Sequence, residues 1–146
     1  MRCRPRHRWL LLGAAWLLAL AARADVYVVV HAANPVRSLS HKELVDLYMG
    51  RSRVFPHGDL ALPFDLARDS ALRERFYRGL TGMSLAQVNS YWSRLMFTGQ
   101  TLPPAALQTE AEVMAIVKRN SNAIGYLGTE PADRGLRVVL VLREDP

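Results

Sequence analysis

Ser70 and Arg73, with Arg68 just upstream, are the residues whose types and spacing best suit chemistry in this chain. They fall at the start of an expected helix, in the run Arg68-Asp69-Ser70-Ala71-Leu72-Arg73. A helix start offers unpaired backbone N–H groups and the positive end of the helix dipole. With a hydroxyl and one or two guanidinium groups beside it, such a start can seat a small oxyanion. The same residues also fit an ordinary capped helix, with Asp69 or Ser70 as the cap and the arginines in water. Both readings are open on the residues alone.

Other chemistries lack a cast. The one cysteine is Cys3, near the N-terminus. His31, His41 and His57 are not at metal-ligand spacing from one another or from a carboxylate pair. There is no G-x-S-x-G elbow and no Gly-rich phosphate loop. Glu110 and Glu112 fall in an expected first helical turn, where the dipole accounts for them. No catalytic residue, no metal site and no cofactor is expected.

The N-terminus reads as a targeting segment. Arg2, Arg4, Arg6 and Arg8 precede an apolar run from Trp9 to about Ala22, and Ala22-Arg23-Ala24 supplies a cleavage signal. The run is roughly 14 residues, short of the ~20 that span a bilayer as a helix. The expectation is a secretory signal peptide over residues 1–24, one domain over 25–146, and a periplasmic or secreted product without stable membrane insertion. That segment holds Cys3 and five of the 19 basic residues, leaving 14 against 13 acidic ones and a net charge of +1. The pI near 10.1 therefore belongs mainly to the leader. The basic turn Arg51–Arg53 then reads as a solvated loop, and no nucleic-acid partner is expected. Without thiols the domain must hold together by burial, for which its length suffices.

The elements that position Ser70 and Arg73 follow from pattern. Val26–Val30 and Leu136–Leu142 are apolar, β-branched runs suited to buried strands. Leu60–Leu66 reads as another strand, with Pro63 favouring an edge position or a short element. Asn122–Leu127 reads as a turn into a short strand. Ser40…Glu43, Ser84…Gln87 and Thr109…Glu112 are capping boxes, and a further helix runs from about Ser70 to Thr81. Leu72, Phe76 and Leu80 form its stripe. Phe76, Trp92 and Phe97 suit core packing, while Tyr77 and Tyr91 suit a surface. The order β-α-β-α-α-α-β-β predicts an α/β domain, a mixed sheet flanked by helices.

Three motifs in order carry a resemblance: N-P-x₃-L-S-x-x-E-L-x-x-L-Y-x-G over Asn34–Gly50, S-x-x-R-x-x-F over Ser70–Phe76, and Asn122-Ala-Ile-Gly-Tyr. Together with Tyr91-Trp92 and Phe97-Thr98-Gly99, this resembles the phosphate-type substrate-binding proteins of ABC transporters, and most of all their short, stand-alone relatives. The resemblance covers roughly Val26 to Leu142, and includes no counterpart of the first strand, loop and helix of the full-length family. It implies a compact periplasmic-binding-protein-like α/β domain with an anion at helix N-termini. The family's loop is typically R-x-x-G-S-G-T-R. Here Leu66 stands at its first arginine, Asp69 at a glycine and Ala71-Leu72 at Gly-Thr, so that Ser70 and Arg73 alone match.

The resulting expectation is an exported, non-catalytic solute-binding-protein-like domain of the phosphate or oxyanion transport type, with a degraded anion loop. Its ligand site would be Ser70, Arg73 and Arg68, holding a small oxyanion weakly or with a second wall from a homodimer. The alternative is a protein-interaction module of the cell envelope, a sensor or assembly partner that has lost ligand binding. That reading predicts an exposed apolar patch around Tyr77 and Tyr91.

Overall fold

The computed structural model describes residues 24–144; the expected signal peptide lies almost wholly outside them. The chain runs β1 (Val26–His31), α1 (His41–Tyr48), β2 (Leu62–Leu66), α2 (Ala71–Thr81), α3 (Leu85–Phe97), β3 (Ala105–Leu107), α4 (Glu110–Arg119), β4 (Ala123–Leu127) and β5 (Leu136–Leu142). The strands form one mixed sheet in the order β3-β2-β4-β1-β5. β1 lies antiparallel to both β4 and β5, whereas β2 runs parallel to β3 and β4.

Successive side chains on β4 point to opposite faces of the sheet, and this fixes the layers. A Cβ on Gly125 would collide with Val113 of α4, so α4 packs directly on that face. The next residue, Tyr126, stacks on Phe76 of α2 on the opposite face, with ring centroids 3.9 Å apart. Tyr48 of α1 meets the Phe76 ring edge-on at 4.7 Å. The sheet is thus covered by α4 on one side and by α1 and α2 on the other. Its central strands are buried because both faces are occupied.

The helix starts follow their caps. Ser40 and Ser84 form complete boxes with Glu43 and Gln87. Thr109 caps α4 through its side chain, but Glu112 turns instead to the backbone N–H of Gln108, so that box is one-sided. Gly82 closes α2 at φ 72°, a left-handed conformation that costs glycine little.

Two expectations about strands need correction. β2 is short, as Pro63 suggested, but it is interior rather than at an edge. The proline is tolerated because β3 pairs with β2 only from Phe64 onward, leaving that side open at Pro63. The edge position belongs to β3, a three-residue strand that follows Pro103-Pro104 and is too short for any apolar period to announce.

Candidate functional site

The β2 strand delivers Asp65 into the interior, where an ionised side chain must be paired. Its carboxylate accepts four hydrogen bonds. Oδ2 takes Arg73 Nε and the Tyr77 hydroxyl, each at 2.9 Å. Oδ1 takes the Leu66 N–H at 2.8 Å and the Tyr126 hydroxyl. Those four donors exhaust its acceptor capacity. Both side chains of the Asp65–Arg73 pair are only 6% exposed. Arg73 also donates from Nη1 to Asn89 Oδ1 at 3.3 Å, and its guanidinium lies 5.1 Å from the centre of the Tyr77 ring.

Charge states in this cluster follow from burial and from Asp65. Burial, and then the carboxylate charge and hydrogen bond, push the Tyr77 and Tyr126 hydroxyls well above their ordinary value. Tyr48 moves the same way for the same first two reasons. For Arg73 burial opposes the cation, but the Asp65 charge and hydrogen bond outweigh it and hold the guanidinium protonated. The indole Nε1 of Trp92 is buried without a hydrogen-bond acceptor of proper geometry. It lies on the side of the Tyr77 hydroxyl, whose ionised form it favours against those larger effects.

Ser70 is the N-cap of α2: its Oγ accepts from the Arg73 N–H at 3.2 Å. Capping therefore falls to Ser70 and not to Asp69, which is exposed. The first-turn N–H groups of Ala71 and Leu72 have no partner within the helix. Arg68 is exposed and Arg73 buried, yet both line a cavity of about 150 Å³ between the α2 start and α3. Asn89, Trp92, Ser93 and Met96 supply its α3 wall. The structure thus brings Arg68 and Arg73 to one cavity, with Ser70 directing its oxygen to the cap beside it. Arg73 is not the solvated arginine of the plain capping reading, because Asp65 has drawn it inside.

Sequence reading missed Asp65, Tyr77, Asn89 and Tyr126. One signal was available: Asp65 is the only ionisable residue in Leu60–Leu66, and an acid in a buried strand requires donors. Two aromatic expectations are reversed. Tyr77 is fully buried, with its hydroxyl on Asp65, and Phe97 is 93% exposed, whereas Leu95 of the same turn packs against the core. The exposed large apolar residues are Val54, Leu60, Met96, Phe97 and Leu102, so the patch expected around Tyr77 and Tyr91 is absent there. Tyr91 is half-buried and donates its hydroxyl to the Met49 carbonyl. Among the described residues no cluster of metal-ligating side chains occurs.

No protein-family model and no curated protein matches the sequence. Solved structures do match. One is described as a phosphate ABC transporter substrate-binding protein from Clostridium perfringens with bound phosphate: TM-score 0.62, 19% identity, 80% of this chain and 45% of that one. Another is an ABC-type phosphate transport receptor from Vibrio cholerae: TM-score 0.60, 17% identity, 80% of this chain and 46% of that one. The fold is periplasmic-binding-protein-like. This agrees with the family resemblance read from the motifs, and with the mixed sheet flanked by helices. The chain spans less than half the length of the solved proteins it matches. Those neighbours are transport binding proteins, and no helix among the described residues is long and apolar enough to cross a membrane.

Proposed function

We propose that this chain is an exported, non-catalytic solute-binding domain of the phosphate or oxyanion type, periplasmic or secreted, with its anion loop reduced to Ser70, Arg73 and Arg68. The observation that carries the reading is that Arg68 and Arg73 line one cavity beside the capped α2 start, in a fold shared with a protein solved with phosphate bound. Asp65 fixes one cation in place, and Arg68 remains free to close on a ligand. Ser70 keeps a hydroxyl proton to donate, and the Ala71 and Leu72 N–H groups add the dipole end.

The losses relative to the family loop make the binding weak. Leu72 brings no hydroxyl, and Asp69 adds negative charge at the seat of an anion. Two or three missing charge-assisted hydrogen bonds, at about 1.5–3 kcal/mol each, remove several orders of magnitude in affinity. The test is a thermal-melt series of the mature protein in phosphate, sulfate and chloride at matched ionic strength. An oxyanion at ten times its Kd adds about 1.4 kcal/mol, which is readily seen. The shift should vanish in Arg68→Gln. No shift at millimolar oxyanion overturns the reading.

A second reading, a protein-interaction module of the cell envelope, is favoured by two large apolar side chains left in water, Phe97 at 93% and Leu102 at 77% exposure. It predicts an envelope partner, or a second copy, recovered by cross-linking and lost in Phe97→Ser with the melting temperature unchanged. Recovery of the same partner by Phe97→Ser would sink it.

A further inference from the structure

The 150 Å³ cavity beside α2 is not isolated. A larger groove of about 560 Å³ adjoins it, and the two share Trp92, Met96, Pro103 and Pro104 in their linings. The groove is walled by Leu47, Leu60, Leu62, Phe64 and Leu102, with Arg53 its one charged side chain. Its volume falls among those of pockets for organic ligands, which are mostly apolar with a few placed polar groups. Charge is concentrated in the small cavity, which Arg68, Arg73 and Asp65 all line, the Asp65 carboxylate being already taken up by its four donors.

We propose that the ligand is an organic carboxylate with an apolar tail, its head on Arg68 and Arg73 and its tail in the groove. The proposal rests on reading the α2 start as an anion seat, and names the class of anion. Three features favour a monoanion with a tail over a bare inorganic dianion. Asp69 repels a second negative charge more than a first. Leu72 removes a donor that a tetrahedral oxyanion would use, whereas the two oxygens of a carboxylate match one free guanidinium edge. An inorganic ion would leave the apolar groove unfilled, and Met96, flexible and half-exposed at the junction, can rearrange around a chain.

The experiment is titration calorimetry of the mature protein with butanoate, hexanoate and octanoate, with octanol as the neutral control and inorganic phosphate as a separate arm. Affinity should rise about fourfold for each methylene added to the tail. Octanoate should bind at least tenfold more tightly than octanol. Arg68→Gln should weaken octanoate without shifting the apo melting temperature, since Arg68 is exposed. Leu60→Asp, at a half-exposed groove position, should weaken octanoate while sparing butanoate. Equal affinities along the series, equal binding of octanol, or indifference to Arg68→Gln overturns the proposal. So does a dimer in sedimentation that buries the groove and leaves octanoate inert. Phosphate stabilisation with octanoate inert removes the proposal and leaves the oxyanion reading standing. Octanoate binding with phosphate and sulfate inert overturns the inorganic-oxyanion reading and leaves the carboxylate proposal standing.

Discussion

Replacing Asp65 should damage this protein more than replacing Arg73, although the two form one ion pair. Without Arg73, the carboxylate keeps the Leu66 N–H and the Tyr77 and Tyr126 hydroxyls. Without Asp65, a buried cation is left with Asn89, and two buried phenols lose their acceptor. Breaking a buried pair costs about 3–5 kcal/mol, and each orphaned hydroxyl adds about 1–3 kcal/mol. Arg73→Met should therefore lie near the lower end, about 3 kcal/mol, and Asp65→Leu above about 5 kcal/mol. For a domain with about 5–15 kcal/mol in hand, the second variant approaches global unfolding. At this size each kcal/mol moves the melting temperature by about 3–5 °C, so Arg73→Met should melt roughly 10 °C lower. The double variant Asp65→Leu/Arg73→Met removes both charges and should recover part of the loss. The assay is urea and thermal unfolding of the four proteins by circular dichroism, closed as a double-mutant cycle. If Arg73→Met proves the worse variant, or if either change costs under about 1 kcal/mol, the network does not hold the site as described.

Three further outcomes are expected. Tyr48, Tyr77 and Tyr126 are raised above an unfolded value of 10.0, by burial first and Asp65 second, so they favour the fold below pH 10 and oppose it increasingly above. Their tyrosinate absorbance should thus appear together with loss of the helical signal; ionisation of all five tyrosines with the fold intact would contradict this. Gly125→Ala should cost about 1–3 kcal/mol, because the added carbon meets Val113; an unchanged urea midpoint would place α4 elsewhere. Phe97→Ser should alter the monomer's unfolding free energy by no more than about 0.5 kcal/mol, and a larger loss in denaturant melts would mean that something covers the ring.

The helix starts were legible because their causes are local. Ser40, Ser70 and Ser84 each cap a helix through neighbours three residues away. Aromatic placement was not, because periodicity tells which residues share a face and not what covers that face. Phe76 and Tyr77 are both buried since α2 is enclosed from two sides, whereas the last turn of α3 packs through Leu95 and leaves Phe97 in water. The site was half legible. Ser70 announced the cap, but the partner of Arg73 lies across the β2–α2 turn and its remaining side-chain donors come from α2 and β4. Pairing across such distances leaves only an indirect trace, an acid in a strand that ought to be apolar.

β1, the first element described, lies between β4 and β5, the last two in the described order. Val28 faces Tyr126 on one side and Leu140 on the other, about a hundred positions along the chain. Nothing translated before them can complete its ladder, and loops of this length are slow to close. The nascent polypeptide consequently presents an unprotected, β-branched strand until Leu136–Leu142 has been made. That delay keeps the chain open to chaperones. It also makes loss of the last strand catastrophic: stopping translation before Leu136 would leave the Val26–His31 edge bare and prone to aggregate.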